Sequence, residues 1–221
     1  MKKVVFVICG GPIGDLSFLQ AERERHQPAA LICADGGARH LHALGLTPEL
    51  IVGDMDSLDG GLQRDFVMKG SRIIRYPDVK DETDSELALQ MAFMMAPDEI
   101  RIYGALGARI DHTLANLGLL AAAADRGIET RLLDEWCEIR LVRGQAIVAG
   151  EAGQTVSLVA FGADAAGVTL EGFEYPLRNA PITRNRPVGV SNRLTAAQGV
   201  ISVESGDLLA IRYFKAGDFP C

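Results

Sequence analysis

Acidic side chains recur along the chain in short clusters whose chemistry can be read directly. Asp35 stands in Ala34-Asp35-Gly36-Gly37, and Asp54 and Asp56 in Gly53-Asp54-Met55-Asp56-Ser57. Asp78, Asp81 and Asp84 fall between Pro77 and Asp84, and Asp111 closes the stretch that begins at Gly104. Taken singly, each is an ordinary cap or turn residue, because Asp accepts hydrogen bonds from nearby backbone N–H groups. Thr83-Asp84-Ser85-Glu86 is itself a capping-box sequence. As a set they need another explanation, since crowded carboxylates repel and are costly away from water unless cations compensate them. Mg2+ is the natural compensator: a hard ion that takes one or two carboxylates, waters and phosphate oxygens. Asp54 and Asp56 flank one residue, so an extended loop would point both the same way.

The complementary groups bind phosphate. Gly104, Gly107 and Arg109 share one loop, where glycines let backbone N–H groups approach an anion and a guanidinium grips it in two places. Lys80 stands among the acids, to meet a phosphate or to neutralise a neighbour. Gly10-Gly11-Pro12-Ile13-Gly14 is a second glycine loop, open to phosphate contact or a simple turn, and it lacks the Lys-Ser/Thr ending of a P-loop. No kinase catalytic loop and no HExxH pattern is present. Phosphates bridged by metal in an acidic cleft point to phosphoryl-type transfer or hydrolysis.

The elements that must position these residues alternate. Val4–Ile8, Ala30–Cys33, Leu50–Val52, Arg72–Arg75, Ile100–Tyr103 and Thr130–Leu133 read as strands, most of them continuous apolar runs suited to a sheet covered on both faces. Helical spacing occupies Ala38–Leu44, Leu58–Lys69, Thr83–Met95 and Thr113–Arg126, with Gly45, Gly70, Pro97 and Gly127 at their ends. The implied fold is α/β, a doubly wound and mostly parallel sheet whose ligands bind beyond the carboxyl ends of the strands. Asp35, Asp54 with Asp56, Asp84 and Asp111 then come from four successive loops on that edge. After Cys137 the pattern changes to short strands, Ile139–Val142, Ala146–Val148, Thr155–Ala160, Gly167–Leu170, Val200–Val203 and Leu208–Tyr213. Gly150–Gly153, Gly162 and Ser205-Gly206-Asp207 read as turns between them, so an all-β sandwich or barrel is expected. The expected domains are residues 1–136 and 137–221, with the boundary near Asp134–Glu138.

Composition sets the outer limits. The 221 residues are 48% apolar and 23% charged, enough for a core and against global disorder. A net charge of −7 excludes a general nucleic-acid binder, which needs patches of Lys and Arg. The apolar run Val4–Cys9 is too short to span a bilayer and no secretory cleavage site follows it, so a cytoplasmic protein without a membrane partner is expected. Cys9, Cys33, Cys137 and Cys221 form no CxxC pair, which leaves neither a zinc ribbon nor a redox motif.

In order and spacing, these motifs resemble those of the thiamine pyrophosphokinase family. The similar segments are Ala34–Ala38, Gly53–Ser57, Lys80–Glu86, Gly104–His112 with Asn116, and Ser191-Asn192, and they span the chain from about residue 30 onward. The resemblance implies an α/β nucleotide-binding domain followed by a β-sandwich, and the reaction of ATP with thiamine to give thiamine diphosphate and AMP. By the same resemblance Asp54, Asp56 and Asp84 are Mg2+ ligands with Asp35 beside them. Gly36, Ser57, Lys80, Thr83, Gly104, Gly107, Arg109 and Asp111 contact the ATP phosphates or the reacting hydroxyl. Asp84 or Asp111 accepts the hydroxyl proton. Thiamine lies between the domains of a homodimer, against Ser191, Asn192 and Tyr175, the last on a neighbouring strand. The only tryptophan, Trp136, is far from that region in sequence. Two other readings fit the same scaffold, a pyrophosphokinase for another hydroxymethyl heterocycle such as a pterin, and a silent sensor of nucleotide or thiamine diphosphate. A phosphohydrolase is a further one.

Overall fold

A computed structural model describes residues 2–107 and 109–214. Met1, Ala108 and residues 215–221, Cys221 among them, lie outside the described residues. The chain divides into two compact units, Met1–Glu135 and Trp136–Cys221.

The first unit is a parallel sheet with helices between its strands. Its strands are β1 (Val4–Ile8), β2 (Ala30–Ala34), β3 (Leu50–Gly53), β4 (Arg72–Arg75), β5 (Glu99–Tyr103) and β6 (Glu129–Leu133). They lie in the order β4-β3-β2-β1-β5-β6, and each neighbouring pair is parallel. The continuous apolar runs follow from that arrangement: β1, β2 and β5 are buried at every position, as strands covered on both faces must be. The chain steps outward from β1 to β4 and then crosses back to place β5 on the other side of β1. Between the carboxyl ends of β1 and β5 lies the switch point where such sheets open a crevice.

The helices are α1 (Leu16–His26), α2 (Ala38–Ala43), α3 (Gly60–Met68), α4 (Asp84–Phe93) and α5 (Ile110–Ala124). Asp59 caps α3 by accepting from Gly61 N and Leu62 N, and Thr83 caps α4 by accepting from Glu86 N. Two departures from the sequence reading occur here. Helix α1 was not expected, because Leu16–His26 carries the charged block Glu22–Arg25 and no broad apolar stripe; only Leu19 and Glu22 are buried. Helix α5 starts at Ile110 rather than Thr113, which puts Asp111 inside the first turn instead of at the cap.

The second unit is antiparallel and rich in β structure. Its strands are β7 (Cys137–Val142), β8 (Gln145–Ala149), β9 (Thr155–Glu171), β10 (Ala180–Ile182), β11 (Asn192–Arg193), β12 (Gln198–Ser202) and β13 (Ser205–Tyr213). The two strands expected at Thr155–Ala160 and Gly167–Leu170 are one, and Gly162 lies inside it rather than at a turn. Its first half pairs with β11 and β13 and its last residues with β10 and β12, so a single strand serves both pairing systems. Ser205-Gly206-Asp207 likewise opens β13 instead of separating strands. Val156, Leu158, Val168, Leu170, Ile201 and Leu208 lead the core of this unit.

Candidate active site

The carboxyl ends of β1 and β5 approach so closely that only glycine fits between their loops. Cys9 N donates to Tyr103 O at 2.8 Å and Gly11 N to Gly104 O at 2.9 Å. Gly104 has φ +65°, and a Cβ there would lie 2.4 Å from Cys9 O. The crevice so formed is a cavity of about 280 Å3. Gly10 and Gly11 line it on one side and Gly104 and Gly107 on another, so the loop left open in the sequence is part of the wall.

Three carboxylates gather at its edge. Asp35 begins a one-turn 3-10 helix after β2, Asp54 follows β3, and Asp84 is the first residue of α4. One ligand oxygen from each lies within 4.8 Å of the others. Gly53, with φ +145°, makes this possible, since a Cβ there would stand 2.8 Å from Asp35 Cβ and 3.0 Å from Asp84 Cγ. Asp35 is buried at 4% exposure. Its Oδ2 accepts from Ser57 N at 3.1 Å, while its Oδ1 is buried with no hydrogen-bond partner. Burial raises the Asp35 pKa, and the neighbouring charges of Asp84 and Asp54 push it the same way. An all-oxygen set with two buried acceptors, Asp35 Oδ1 and Asp84 Oδ1, that lack a hydrogen-bond partner fits a hard divalent cation. Lys80 Nζ stands 2.9 Å from Asp84 Oδ1 and 3.7 Å from Asp54 Oδ2. Burial lowers the Lys80 pKa, but Asp84 and Asp54 outweigh it and hold the ammonium above its usual value.

The other expected residues separate into those that reach the cavity and those that do not. Gly36, Ser57, Thr83, Gly107 and Arg109 line it. Asp56 does not join the three carboxylates. Met55 between the two acids takes φ +69° and buries its side chain, so the loop turns instead of extending. Asp54 Oδ1 accepts from Asp56 N at 3.1 Å, and the exposed Asp56 carboxylate accepts from Ser57 Oγ at 2.9 Å. Asp111 also lies apart, exposed and ion-paired with Arg109. That hydrogen-bonded guanidinium holds the Asp111 carboxyl below the usual carboxylate range.

The motif reading passed over Arg39 and Thr113, and it named Asn116 without a role. Arg39 reaches the cavity and donates from Nη1 to Ser57 O at 2.8 Å. Its signal was a lone cation two residues beyond Gly37, too short a pattern to stand out. Asn116 lines the wall and donates from Nδ2 to Ala105 O at 2.8 Å. Thr113 Oγ1 accepts from Gly107 N at 3.1 Å. Through these two side chains α5 braces the glycine loop.

In the second unit, Tyr175 lies in the connection between β9 and β10, not on a strand, and its side chain is exposed. Asn192 is buried and fully occupied with the backbone: Nδ2 donates to Tyr175 O at 2.8 Å, and Oδ1 accepts from Tyr175 N at 3.0 Å and Arg193 N at 2.8 Å. Ser191 takes φ +60° and donates from its N–H to Ser157 Oγ at 3.0 Å. Asn192 therefore clamps the Tyr175 segment beside Ser191.

Comparison with known proteins agrees with this geometry. Residues 22–132 match the family model described as thiamin pyrophosphokinase, catalytic domain, and residues 138–208 match thiamin pyrophosphokinase, vitamin B1 binding domain. A thiamine pyrophosphokinase of Bacillus subtilis is 32% identical over 212 residues, which is 95% of this chain and 98% of the relative. A crystal structure of thiamine pyrophosphokinase from Bacillus subtilis superposes with a TM-score of 0.85 at 30% identity, covering 96% of this chain and 100% of that one. One from Geobacillus thermodenitrificans gives 0.81 at 30% identity, covering 98% and 100%. Two family models in sequence, a relative matched nearly end to end, and solved structures of the same architecture lead to one conclusion: the chain belongs to the thiamin pyrophosphokinase family.

Proposed function

We propose that this chain is an Mg2+-dependent thiamine pyrophosphokinase, working as a homodimer, that transfers the diphosphoryl group of ATP to the hydroxyl of thiamine. In this reading the first unit is a doubly wound nucleotide-binding domain and the second a β-sandwich that binds thiamine. The observation that carries it is the convergence of Asp35, Asp54 and Asp84 beside a cavity walled by Gly10, Gly104 and Gly107.

The chemistry is an in-line displacement. The thiamine hydroxyl oxygen bonds to the β-phosphorus, the bond from that phosphorus to the oxygen shared with the α-phosphorus breaks, and AMP leaves with that oxygen. Such transfers depend on positioning and charge neutralisation more than on a protein nucleophile. Asp35, Asp54 and Asp84 hold Mg2+, which when bound neutralises charge on the phosphates. The glycine loops offer backbone N–H groups to the triphosphate, and Arg39 and Arg109 supply cationic donors at the same wall. The hydroxyl proton passes to a carboxylate oxygen of Asp84, which lines the cavity; Asp111, stabilised as an anion by Arg109, is the poorer acceptor. Tyr175 presents an aromatic face and Ser191 a hydroxyl to the thiamine pyrimidine, while Asn192 positions both.

Incubation with Mg2+, ATP and thiamine should give AMP and thiamine diphosphate in equal amounts. AMP formed with a pterin alcohol but not with thiamine would reassign the substrate. Thermal stabilisation without ATP consumption would make the protein a sensor, and free phosphate without an acceptor a hydrolase.

A further inference from the structure

The loop from β4 to α4 folds back over the carboxylates through a single side chain. From Pro77 to Thr83 every residue is exposed except Lys80, and Val79 beside it is 93% exposed. The Lys80 side chain itself is only 11% exposed. Its Nζ contacts Asp84 and Asp54 and donates to Pro77 O at 3.3 Å. Although Lys80 and Asp84 are four residues apart, Lys80 precedes Thr83, the cap of α4, so this is no pairing along a helix face. The ammonium ion-pairs with two of the three clustered carboxylates without a hydrogen bond to Asp84 Oδ1, and Asp35 Oδ1 also stays buried without a hydrogen-bond partner.

We propose that Lys80 is a resident counter-ion of this site, holding the cation position between Asp54 and Asp84 in the nucleotide-free protein and releasing both when a divalent ion takes them. The proposal rests on the reading of the cluster as a divalent-cation site. An ammonium is a compact point charge on a flexible stem, able to satisfy one or two carboxylates and then leave. A single positive charge cannot neutralise three carboxylates, so a divalent ion displaces it with a net gain. Binding of the ion alone must still break the Lys80 contacts. A phosphate oxygen arriving with the nucleotide gives the released ammonium a new partner. Metal and nucleotide therefore strengthen each other's binding, and the coupling is reciprocal.

Mn2+ binding to the nucleotide-free protein, followed by electron paramagnetic resonance of the free ion, tests this. Lys80→Gln should bind Mn2+ about tenfold more tightly than the parent, because a unit charge has been removed a few ångströms from the ligands. Lys80→Arg should stay near the parent. Equal or weaker binding by Lys80→Gln, or tightening by Lys80→Arg as well, overturns the proposal. Thermal melting supplies a readout that a merely structural lysine would not move. Lys80→Gln should melt lower than the parent without metal, and Mn2+ should close the gap. A deficit of the same size with and without Mn2+ overturns the proposal. Asp54→Asn separates the two levels: if it binds Mn2+ as the parent does, the cluster reading fails and the Lys80 proposal falls with it.

Discussion

Asp35 shows how one side chain can serve a site at the expense of the fold. Its carboxyl is buried with one oxygen unpartnered, and burial with two like charges raises its pKa. A raised folded-state value means that folding favours the protonated form. The penalty is absent below the ordinary carboxylate range and is imposed as pH rises through the raised value. Asp35→Asn keeps an acceptor for Ser57 N and removes the charge. At pH 8 without metal it should melt about 2–4 °C above the parent, as expected for about 1 kcal/mol in a chain of this size, while losing turnover. The gain should fade as the pH approaches 4; a variant that melts below the parent at pH 8 contradicts this account. Gly53 makes the complementary case. Gly53→Ala drives a methyl group into Asp35 and Asp84 at a left-handed φ, so kcat should fall at least about a hundredfold in a protein that still folds. Near-parental kcat would show that the three carboxylates need not converge.

Among the elements, α1 is fastened by charge where the other helices use apolar faces. Its Glu22 accepts from Tyr103 OH at 3.1 Å and from Arg101 Nη2, while Arg101 also donates to Tyr103 OH at 3.0 Å and Glu99 Oε1 at 2.8 Å. Lys2 and Arg131 extend the network to Glu129, whose carboxyl they hold down to about 2 against the opposing effect of burial. Glu22→Ala leaves Arg101 paired with Glu99 but removes its buried carboxylate from α1, so it should cost about 1.5–3 kcal/mol, read as a lower urea midpoint at unchanged m. Turnover of the folded fraction should persist, because Glu22 does not line the cavity. A loss below about 1 kcal/mol would mean that Arg101 finds water instead. Helix α5 works differently, bracing the glycine loop through Asn116 and Thr113. Asn116→Ala leaves the Ala105 carbonyl without its donor, and KM for ATP should rise roughly tenfold, with a smaller change for thiamine. An equal rise for both substrates would argue against a loop-specific role.

For the chain as a whole, stability and ligation are linked. A nucleotide analogue with Mg2+ at a hundred times its Kd should add about 2.7 kcal/mol, seen as a rise in melting temperature. Asp54→Asn should lose most of that rise and keep the melting temperature of the ligand-free protein. An unchanged rise in the variant would remove Asp54 from the metal site. Among the described residues, no helix is long and apolar enough to cross a membrane.

The strands of the first unit and the helices after β2 are legible in the sequence because a two-faced parallel sheet requires unbroken apolar runs, and because Gly and Pro stop helices locally. The order of acidic and glycine motifs was legible for the same reason, since loops at one sheet edge recur at each strand end. Helix α1 was hidden because its attachment is a buried ion pair 79 residues distant in sequence, which no local periodicity records. Strand β9 reads as two strands in the sequence because Gly162, with φ +72°, looks like a turn when it is a bend within one paired strand. Tertiary structure alone decided which acids meet. Asp54 and Asp56 are equivalent by spacing, yet the left-handed Met55 turns one toward Asp35 and Asp84 and leaves the other in solvent. Residue order sets which groups a loop carries; their convergence depends on backbone dihedrals fixed by packing from elsewhere in the fold.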